Sequence, residues 1–230
     1  MAHRGASRVE RENTVPAFRR AAQLGADAVE LDVRRTSDGV LVVHHDVRVA
    51  RLALPISETV YAELPDYVPT LGEALDACVG MWVNVEIKND PDDPDFDESE
   101  SIADETIANL VARGEDDRWL ISCFRIETVD RCHAIAPAIR TAWLCSDVPD
   151  GVEDLLLGKG HAALHPSVKH LTRSTVAACH AAGLQVNTWT CDDPARIAQL
   201  IEWGTDGVCT NVPDVARTII DQSLRSGEPV

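Results

Sequence analysis

The 230-residue chain has few aromatic side chains and no long apolar segment. Phe, Trp and Tyr make up 4% of the sequence, so the core must consist mainly of Val, Leu, Ile and Ala. No apolar run approaches the roughly 20 residues that a helix needs to cross a bilayer. The N-terminal segment lacks the apolar stretch of a secretory signal. We therefore expect a cytoplasmic protein without stable membrane insertion.

Paired cysteine motifs are also missing. The seven cysteines are odd in number, form no Cys-x-x-Cys pair and stand mostly among apolar residues. This pattern favours buried, reduced thiols in a reducing compartment.

Basic residues are scarce, because 21 Lys and Arg accompany 38 Asp and Glu, which gives a formal net charge of −17. Nucleic-acid binding requires a cationic surface, so the charge balance argues against that function. Only three of the basic residues are lysines. Such a composition is typical of halophilic proteins, in which salt screens the repulsion of an acidic surface. A well-solvated acidic protein is the alternative interpretation.

The order of apolar and amphipathic segments predicts the fold class. Short β-branched or apolar runs alternate with helical patterns, which indicates parallel strands and favours a (β/α)8 TIM barrel in a single domain, residues 1–230. The predicted strands are Ala28–Val33, Val40–His44, Trp82–Ile87, Trp119–Ser122, Thr141–Leu144, Ala162–His165, Leu184–Thr188 and Gly207–Thr210. The predicted helices are Thr14–Leu24, Leu71–Cys78, Glu98–Arg113, Ile126–Ala134, Val168–Ala182, Pro194–Trp203 and Val212–Ser223.

An acidic segment, Asn89–Glu100, directly follows one predicted strand. Counted from its first aspartate, Asp90, it lacks the glycine at the sixth position and the closing glutamate of an EF-hand calcium loop. We therefore expect a solvated acidic loop.

Carboxylates inside apolar strands are the first chemical signal. Glu30 and Asp32 share one face of a strand, and two buried acids repel each other unless a positive charge lies between them. Either an ion pair with Arg34 or Arg35, or a divalent cation, would satisfy them. Glu86 stands in a second strand, and the ends of parallel barrel strands converge at one mouth. Three carboxylates there predict a calcium or magnesium site rather than a zinc site.

Two histidines, His3 and His45, complete the candidate site. A lone histidine is more often a core or surface residue than a catalyst, but phosphodiester hydrolysis needs a base for the nucleophile and an acid for the leaving alkoxide. Arg4 and Lys88 carry the positive charge to neutralise phosphate oxygens.

Ordered motifs along the whole chain carry a family resemblance. They are H-R-G at 3–5, E-N-T-x-x-A-F at 12–18, G-A-D-x-V-E-L-D-V at 25–33, D-G-x-x-V-V-x-H-D at 38–46, P-T-L-x-E-A-L at 69–75, N-V-E-I-K at 84–88, S-x-F at 122–124, V-N-T-W-T at 186–190 and G-x-D-G-V-x-T-N-x-P at 204–213. The chain resembles the glycerophosphodiester phosphodiesterases, within the phosphatidylinositol-phospholipase-C-like barrels.

The resemblance implies a role for each candidate residue. Glu30, Asp32 and Glu86 correspond to metal ligands, usually for Ca²⁺ or Mg²⁺, and His3 and His45 to the general acid–base pair. Arg4 and Lys88 match residues near the phosphate, whereas Phe124 and Trp189 match apolar residues that face the glycerol moiety. The implied reaction hydrolyses a small glycerophosphodiester to glycerol 3-phosphate and an alcohol, with water or the substrate's 2-hydroxyl as nucleophile.

The chain departs from the family pattern at three places. Only Met1 and Ala2 precede the H-R-G motif, so the first strand must be very short. Asn211 stands where the family frequently has aspartate, and residues 47–68 are too few for an inserted capping subdomain. An open pocket would accept varied alcohol groups.

Two other functions remain to be weighed. Cleavage of intact lipids by a phospholipase-type relative usually requires an apolar rim or a basic membrane-facing surface, which this composition does not offer. A catalytically inactive barrel that serves as a binding protein would be marked by loss of a histidine or a metal carboxylate, yet all five positions are filled.

Overall fold

Eight strands form one curved sheet in the computed structural model, which describes residues 1–226. Residues 227–230, the end of the predicted single domain, lie outside the described residues. The sheet order is β2-β1-β3-β4-β5-β6-β7-β8. The strands are β1 (Ala28–Arg35), β2 (Leu41–Val43), β3 (Trp82–Ile87), β4 (Trp119–Cys123), β5 (Arg140–Cys145), β6 (Ala163–Pro166), β7 (Gln185–Thr188) and β8 (Gly207–Val208).

The single residue Ala2 closes the sheet into a barrel. All the strands except β2 pair in parallel in chain order, and Ala2 forms parallel bridges to Val29 beside it on one side and Thr210 on the other. The amide of Ala2 donates to the carbonyl of Ala28 at 2.8 Å, and the amide of His3 donates to the carbonyl of Thr210 at 3.0 Å. The predicted barrel and its very short first strand are therefore confirmed.

The strand predicted at Val40–His44 is not a parallel strand of the barrel. It forms β2, which pairs antiparallel with β1 after a tight turn at residues 36–40. Gly39 adopts a φ of 81° there, and the Thr36 hydroxyl hydrogen-bonds to the Asp38 carboxylate at 2.6 Å. Because a turn this short can only reverse the chain, the segment makes a hairpin.

Eight α-helices surround the strands within residues 1–226, and one of them was not predicted. The extra helix, α5, has glycines in the left-handed region at both ends, which leaves it only eight residues long. Elsewhere the cap residues set the bounds, as where Thr172 accepts from the amide of Thr175 and starts α6 later than predicted. The helices are α1 (Val15–Gln23), α2 (Leu71–Ala77), α3 (Ser101–Val111), α4 (Ile126–Ile135), α5 (Val152–Lys159), α6 (Arg173–Ala181), α7 (Pro194–Glu202) and α8 (Pro213–Ser226).

Residues 47–68 form a short connection and not an inserted subdomain, as predicted. Its two 3-10 turns, Ile56–Glu58 and Tyr61–Glu63, are held by a small buried cluster around Val42, Val49 and Ile56. Across residues 1–226, no helix combines the length and apolar character needed to cross a membrane.

Candidate active site

Three buried carboxylates meet at the carboxyl end of β1 and β3. Asp32 lies beside Glu86 in the register of the two strands, and Glu30 is one inward position earlier on β1. Glu30, Asp32 and Glu86 are buried residues, 4%, 1% and 8% exposed. One carboxylate oxygen from each lies within 4.8 Å of the others. The sequence-predicted carboxylate cluster is therefore assembled in the fold.

Positive charges lie against two of these acids. Lys88 Nζ contacts Glu86 Oε1 and lies 2.8 Å from Asp32 Oδ1, while Arg4 Nε lies 3.3 Å from Asp32 Oδ2. Burial alone would raise the pKa of Asp32, but Lys88 and Arg4 outweigh it and lower that pKa below its ordinary value. Burial raises the pKa of Glu86 despite Lys88. Asp32 is therefore the anion that the protein itself compensates best.

Glu30 is compensated least. Its Oε2 accepts the backbone N–H of Arg4 at 2.8 Å, whereas its buried Oε1 has no hydrogen-bond partner among residues 1–226. Burial, followed by repulsion from Asp32 and Glu86, raises the pKa of Glu30 well above its ordinary value. A free buried carboxylate oxygen beside two other carboxylates is a donor set suited to a hard divalent cation. The residues present thus fit a metal ion.

His3 is held by Asn211, which follows Thr210 on the side of Ala2 opposite to β1. The Asn211 amide nitrogen donates to Asp192 Oδ2 at 2.8 Å, which turns the amide oxygen Oδ1 towards His3 Nδ1, also at 2.8 Å. The proton of the His3 ring is therefore assigned to Nδ1, which leaves Nε2 as the free nitrogen. Burial and the nearby Arg4 lower the pKa of His3.

His45 has a similar arrangement at the end of the hairpin. Its Nδ1 lies 2.8 Å from Asp46 Oδ1, and its backbone carbonyl accepts from Arg34 Nε at 2.8 Å. Because a carboxylate only accepts, Nδ1 carries a proton and Nε2 is again the nitrogen available to a ligand. Both histidines thus have Nδ1 fixed by a neighbour and Nε2 without a hydrogen-bond partner among residues 1–226.

The site opens into two adjoining lobes. The inner lobe, about 160 Å³, is lined by His3, Arg4, Glu30 and Trp189, and the outer lobe, about 390 Å³, by Arg34, Asp46, Asp90 and Asp93. Four residues line both lobes: His45, Glu86, Lys88 and Phe124.

The two predicted apolar residues contact each other at this junction. Their rings form an edge-to-face pair with centroids 5.4 Å apart, and the indole of Trp189 donates to the carbonyl of His165 at 2.7 Å. The structure thus brings Phe124 and Trp189 to the same pocket as the charged residues.

The alternative pairing of Glu30 and Asp32 with Arg34 or Arg35 is wrong. Arg34 binds Asp93 and Asp95 instead, at 3.0 and 2.6 Å. Arg35 in turn binds Asp97, at 3.1 Å. These pairs also mean that the acidic segment 89–100 is bound to β1 and is not simply solvated.

Polar residues that the sequence analysis did not single out also shape the site. Asn13 is 1% exposed and its amide donates to Asp32 Oδ2 at 2.7 Å, which adds a neutral partner to that carboxylate. Asn84, His165 and Asn187 line the inner lobe from β3, β6 and β7. A polar residue inside an apolar strand, as in W-V-N-V-E-I, was the available signal.

Comparison with known proteins identifies the family of this chain. A model of the glycerophosphoryl diester phosphodiesterase family matches residues 3–215. Glycerophosphodiester phosphodiesterases of Bacillus altitudinis and Caldanaerobacter subterraneus subsp. tengcongensis are 29% and 28% identical; each alignment covers 96% of this chain, and 97% and 96% of the respective relatives. A solved structure of an Oleispira antarctica phosphodiesterase in complex with the product sn-glycerol-3-phosphate is 27% identical with a TM-score of 0.83, covering 96% of this chain and 95% of that one.

These matches define a class of phosphodiester hydrolases built on the TIM barrel. The chain belongs to the glycerophosphoryl diester phosphodiesterase family. The resemblance carried by the ordered motifs is thus confirmed.

Proposed function

We propose that this chain hydrolyses small glycerophosphodiesters to glycerol 3-phosphate and an alcohol. The observation that carries the proposal is that His3, His45, Arg4 and Lys88 line one inner lobe together with Glu30 and Glu86. One pocket therefore offers two imidazoles, two cations and a carboxylate cluster, which are the groups that phosphodiester hydrolysis requires. The product complex of the Oleispira antarctica relative supports a substrate of this kind.

Each group has a separate task in this proposal. Glu30, Asp32 and Glu86 would hold one divalent cation, Ca²⁺ or Mg²⁺, which when bound polarises the phosphate and stabilises its developing charge. Arg4 and Lys88 orient the anionic phosphate by charge.

The histidines move the protons. Each has Nδ1 fixed, by Asn211 for His3 and by Asp46 for His45, so that the free Nε2 exchanges a proton with the substrate. Burial favours the neutral form of His3, which suits it to accept the proton of the nucleophile, while His45 donates to the leaving alkoxide. The nucleophile is water or the 2-hydroxyl of the substrate.

The outer lobe supports the further inference that varied alcohol groups are accepted, because residues 47–68 add no subdomain above it. Comparison of kcat/KM for glycerophosphocholine, glycerophosphoethanolamine and glycerophosphoinositol tests this point. A hundredfold preference for one small head group would count against it. We also infer a cytoplasmic location, which the seven free, buried cysteines support.

Chelation tests the proposed function directly. We expect activity on glycerophosphocholine to vanish with excess chelator and to return with Mg²⁺ or Ca²⁺. His45→Ala should lower kcat by roughly two to four orders of magnitude, while the matched variant His170→Ala, at a histidine whose side chain is 53% exposed, should leave it unchanged. Persistent activity in chelator would contradict the cation site, and faster cleavage of intact phosphatidylcholine would favour the phospholipase-type alternative.

A further inference from the structure

The floor of the inner lobe is polar where a TIM barrel is usually filled by branched apolar side chains. Asn84 is the register partner of Glu30 on the neighbouring strand and lies one inward position below Glu86. His165 and Asn187 enter the same lobe from β6 and β7. We call these three side chains the polar floor. None of them has a task in the proposed function.

Asn84 offers a buried acceptor without a partner. The residue is 4% exposed, and its amide nitrogen donates to Ser122 Oγ at 2.9 Å, which fixes the orientation of the amide. The amide oxygen Oδ1 is buried and has no hydrogen-bond partner within residues 1–226. Leaving such an acceptor unsatisfied is costly, so this geometry indicates a ligand that donates a hydrogen bond.

Asn187 offers the complementary donor. His165 is 2% exposed, and burial lowers its pKa to about 3, so its ring is neutral and Nε2 accepts from the Asn187 amide nitrogen at 3.0 Å. That nitrogen carries a second hydrogen, for which the described part of the chain provides no acceptor. A Cβ at Gly207 would lie 2.4 Å from Asn187 Oδ1, so the glycine gives the amide its space.

We propose that the polar floor recognises the terminal hydroxyl of the substrate's glycerol moiety, with Asn84 accepting from that hydroxyl and Asn187 donating to it. This inference rests on the proposed function. His165 is a positioning residue that acts through Asn187. A hydroxyl matches the floor because it both donates and accepts, whereas a phosphate oxygen would be repelled by the free acceptor of Asn84.

The layering of the lobe selects which hydroxyl is recognised. Arg4 and Lys88 contact Asp32 and place the phosphate beside Asp32 and Glu86, one layer above Asn84. The part of the glycerol moiety that reaches the floor is then the end farthest from phosphorus, which carries the terminal hydroxyl.

Two chromogenic substrates isolate this contact. The 2,3-dihydroxypropyl and 2-hydroxypropyl esters of p-nitrophenyl phosphate differ only in the terminal hydroxyl, and both retain the 2-hydroxyl, so either nucleophile remains available. We expect wild-type protein with Mg²⁺ to show a higher kcat/KM for the dihydroxypropyl ester. Asn84→Leu and Asn187→Leu should each reduce that preference by roughly ten- to a hundredfold, while activity on the 2-hydroxypropyl ester changes little. Gly207→Ala should act in the same direction because it displaces the Asn187 amide.

Gln185→Leu is the matched control, because Gln185 lies one inward position earlier on β7 and outside the inner lobe. Its preference should equal that of wild type. An equal loss on both esters in Asn84→Leu, or a raised Mg²⁺ requirement in place of a lost preference, would overturn the inference. Wild-type activity on both esters without any preference would overturn it and leave the proposed function intact, whereas a wild-type protein inactive on both would defeat the proposed function itself.

Discussion

Replacement of Glu30 by glutamine tests whether the carboxylate cluster is built for a cation. The substitution keeps the side-chain volume and removes one of three negative charges that share a buried space. Glu30 Oε1 has no partner within residues 1–226, and the pKa of the carboxyl is raised by burial and by Asp32 and Glu86. Without a cation, the ionised Glu30 therefore destabilises the fold.

The expected gain follows from the free energy of an unsatisfied buried polar group, about 1–3 kcal/mol. In a protein of this size 1 kcal/mol corresponds to a change of about 2–4 °C in Tm, so Glu30→Gln should melt roughly 2–12 °C above wild type in chelator. Saturating Mg²⁺ or Ca²⁺ should raise the Tm of wild type, because a ligand at a hundred times its Kd adds about 2.7 kcal/mol, and should fail to raise that of the variant.

Differential scanning calorimetry with and without chelator measures both effects. Glu202→Gln is the control, since Glu202 is exposed on α7 and should behave as wild type in each condition. A Glu30→Gln protein that melts below wild type in chelator would refute the argument, as would one that gains as much stability from the cation as wild type does.

Three further predictions concern stability. The pKa of His165, about 3, lies below the ordinary value of 6.5, so between these pH values only the unfolded chain binds the proton and the protein loses stability as the pH falls. His165→Gln should reduce this loss between pH 6.5 and 4.5 by about 2–3 kcal/mol, measured by urea titration at the two pH values. An unchanged loss would contradict the prediction. Gly5→Ala should destabilise the protein by about 2–4 kcal/mol, because φ is 81° and the new Cβ would lie 2.7 Å from the Ala17 backbone; a wild-type Tm would be the contrary result. Asp130→Asn should lower the free energy of unfolding by about 1–3 kcal/mol, because Asp130 binds Lys159 at 2.5 Å and His161 at 3.0 Å, and should leave kcat unchanged. A loss of activity at full stability would contradict this structural role.

The barrel was largely predictable because its signals are local. Alternation of apolar runs and amphipathic stretches identified the seven longer parallel strands, and Asp193 before Pro194 marked the start of α7. The direction of β2 was not predictable from its apolar pattern, because hairpin strands and crossover strands share that pattern. The tight turn at Gly39 determines that β2 runs antiparallel to β1. Helix α5 was missed because it is short and its capping glycines resemble loop residues.

Some residues of the site were likewise predictable from the sequence, and others were not. The three carboxylates could be identified because charged residues are unusual in buried strands, and the histidines, Arg4 and Lys88 because they stand in the ordered motifs. The anchoring of His3 could not, because it depends on Asn211 and Asp192, about two hundred residues away in sequence. Asn211 thus supplies the oxygen that an aspartate would supply in its place, without the added charge. The pairing of Arg34 with Asp93 and Asp95 was equally invisible, since only the fold brings the acidic segment onto β1.

The identity of the phosphorus-containing product tests the central claim most directly. Glycerophosphocholine is incubated with the wild-type protein and Mg²⁺, and the products are followed by ³¹P NMR, with a chelator-treated sample alongside. We predict glycerol 3-phosphate and free choline in the sample with Mg²⁺, and unreacted substrate in the sample with chelator. Phosphocholine and free glycerol, or equal turnover in the two samples, would contradict the account.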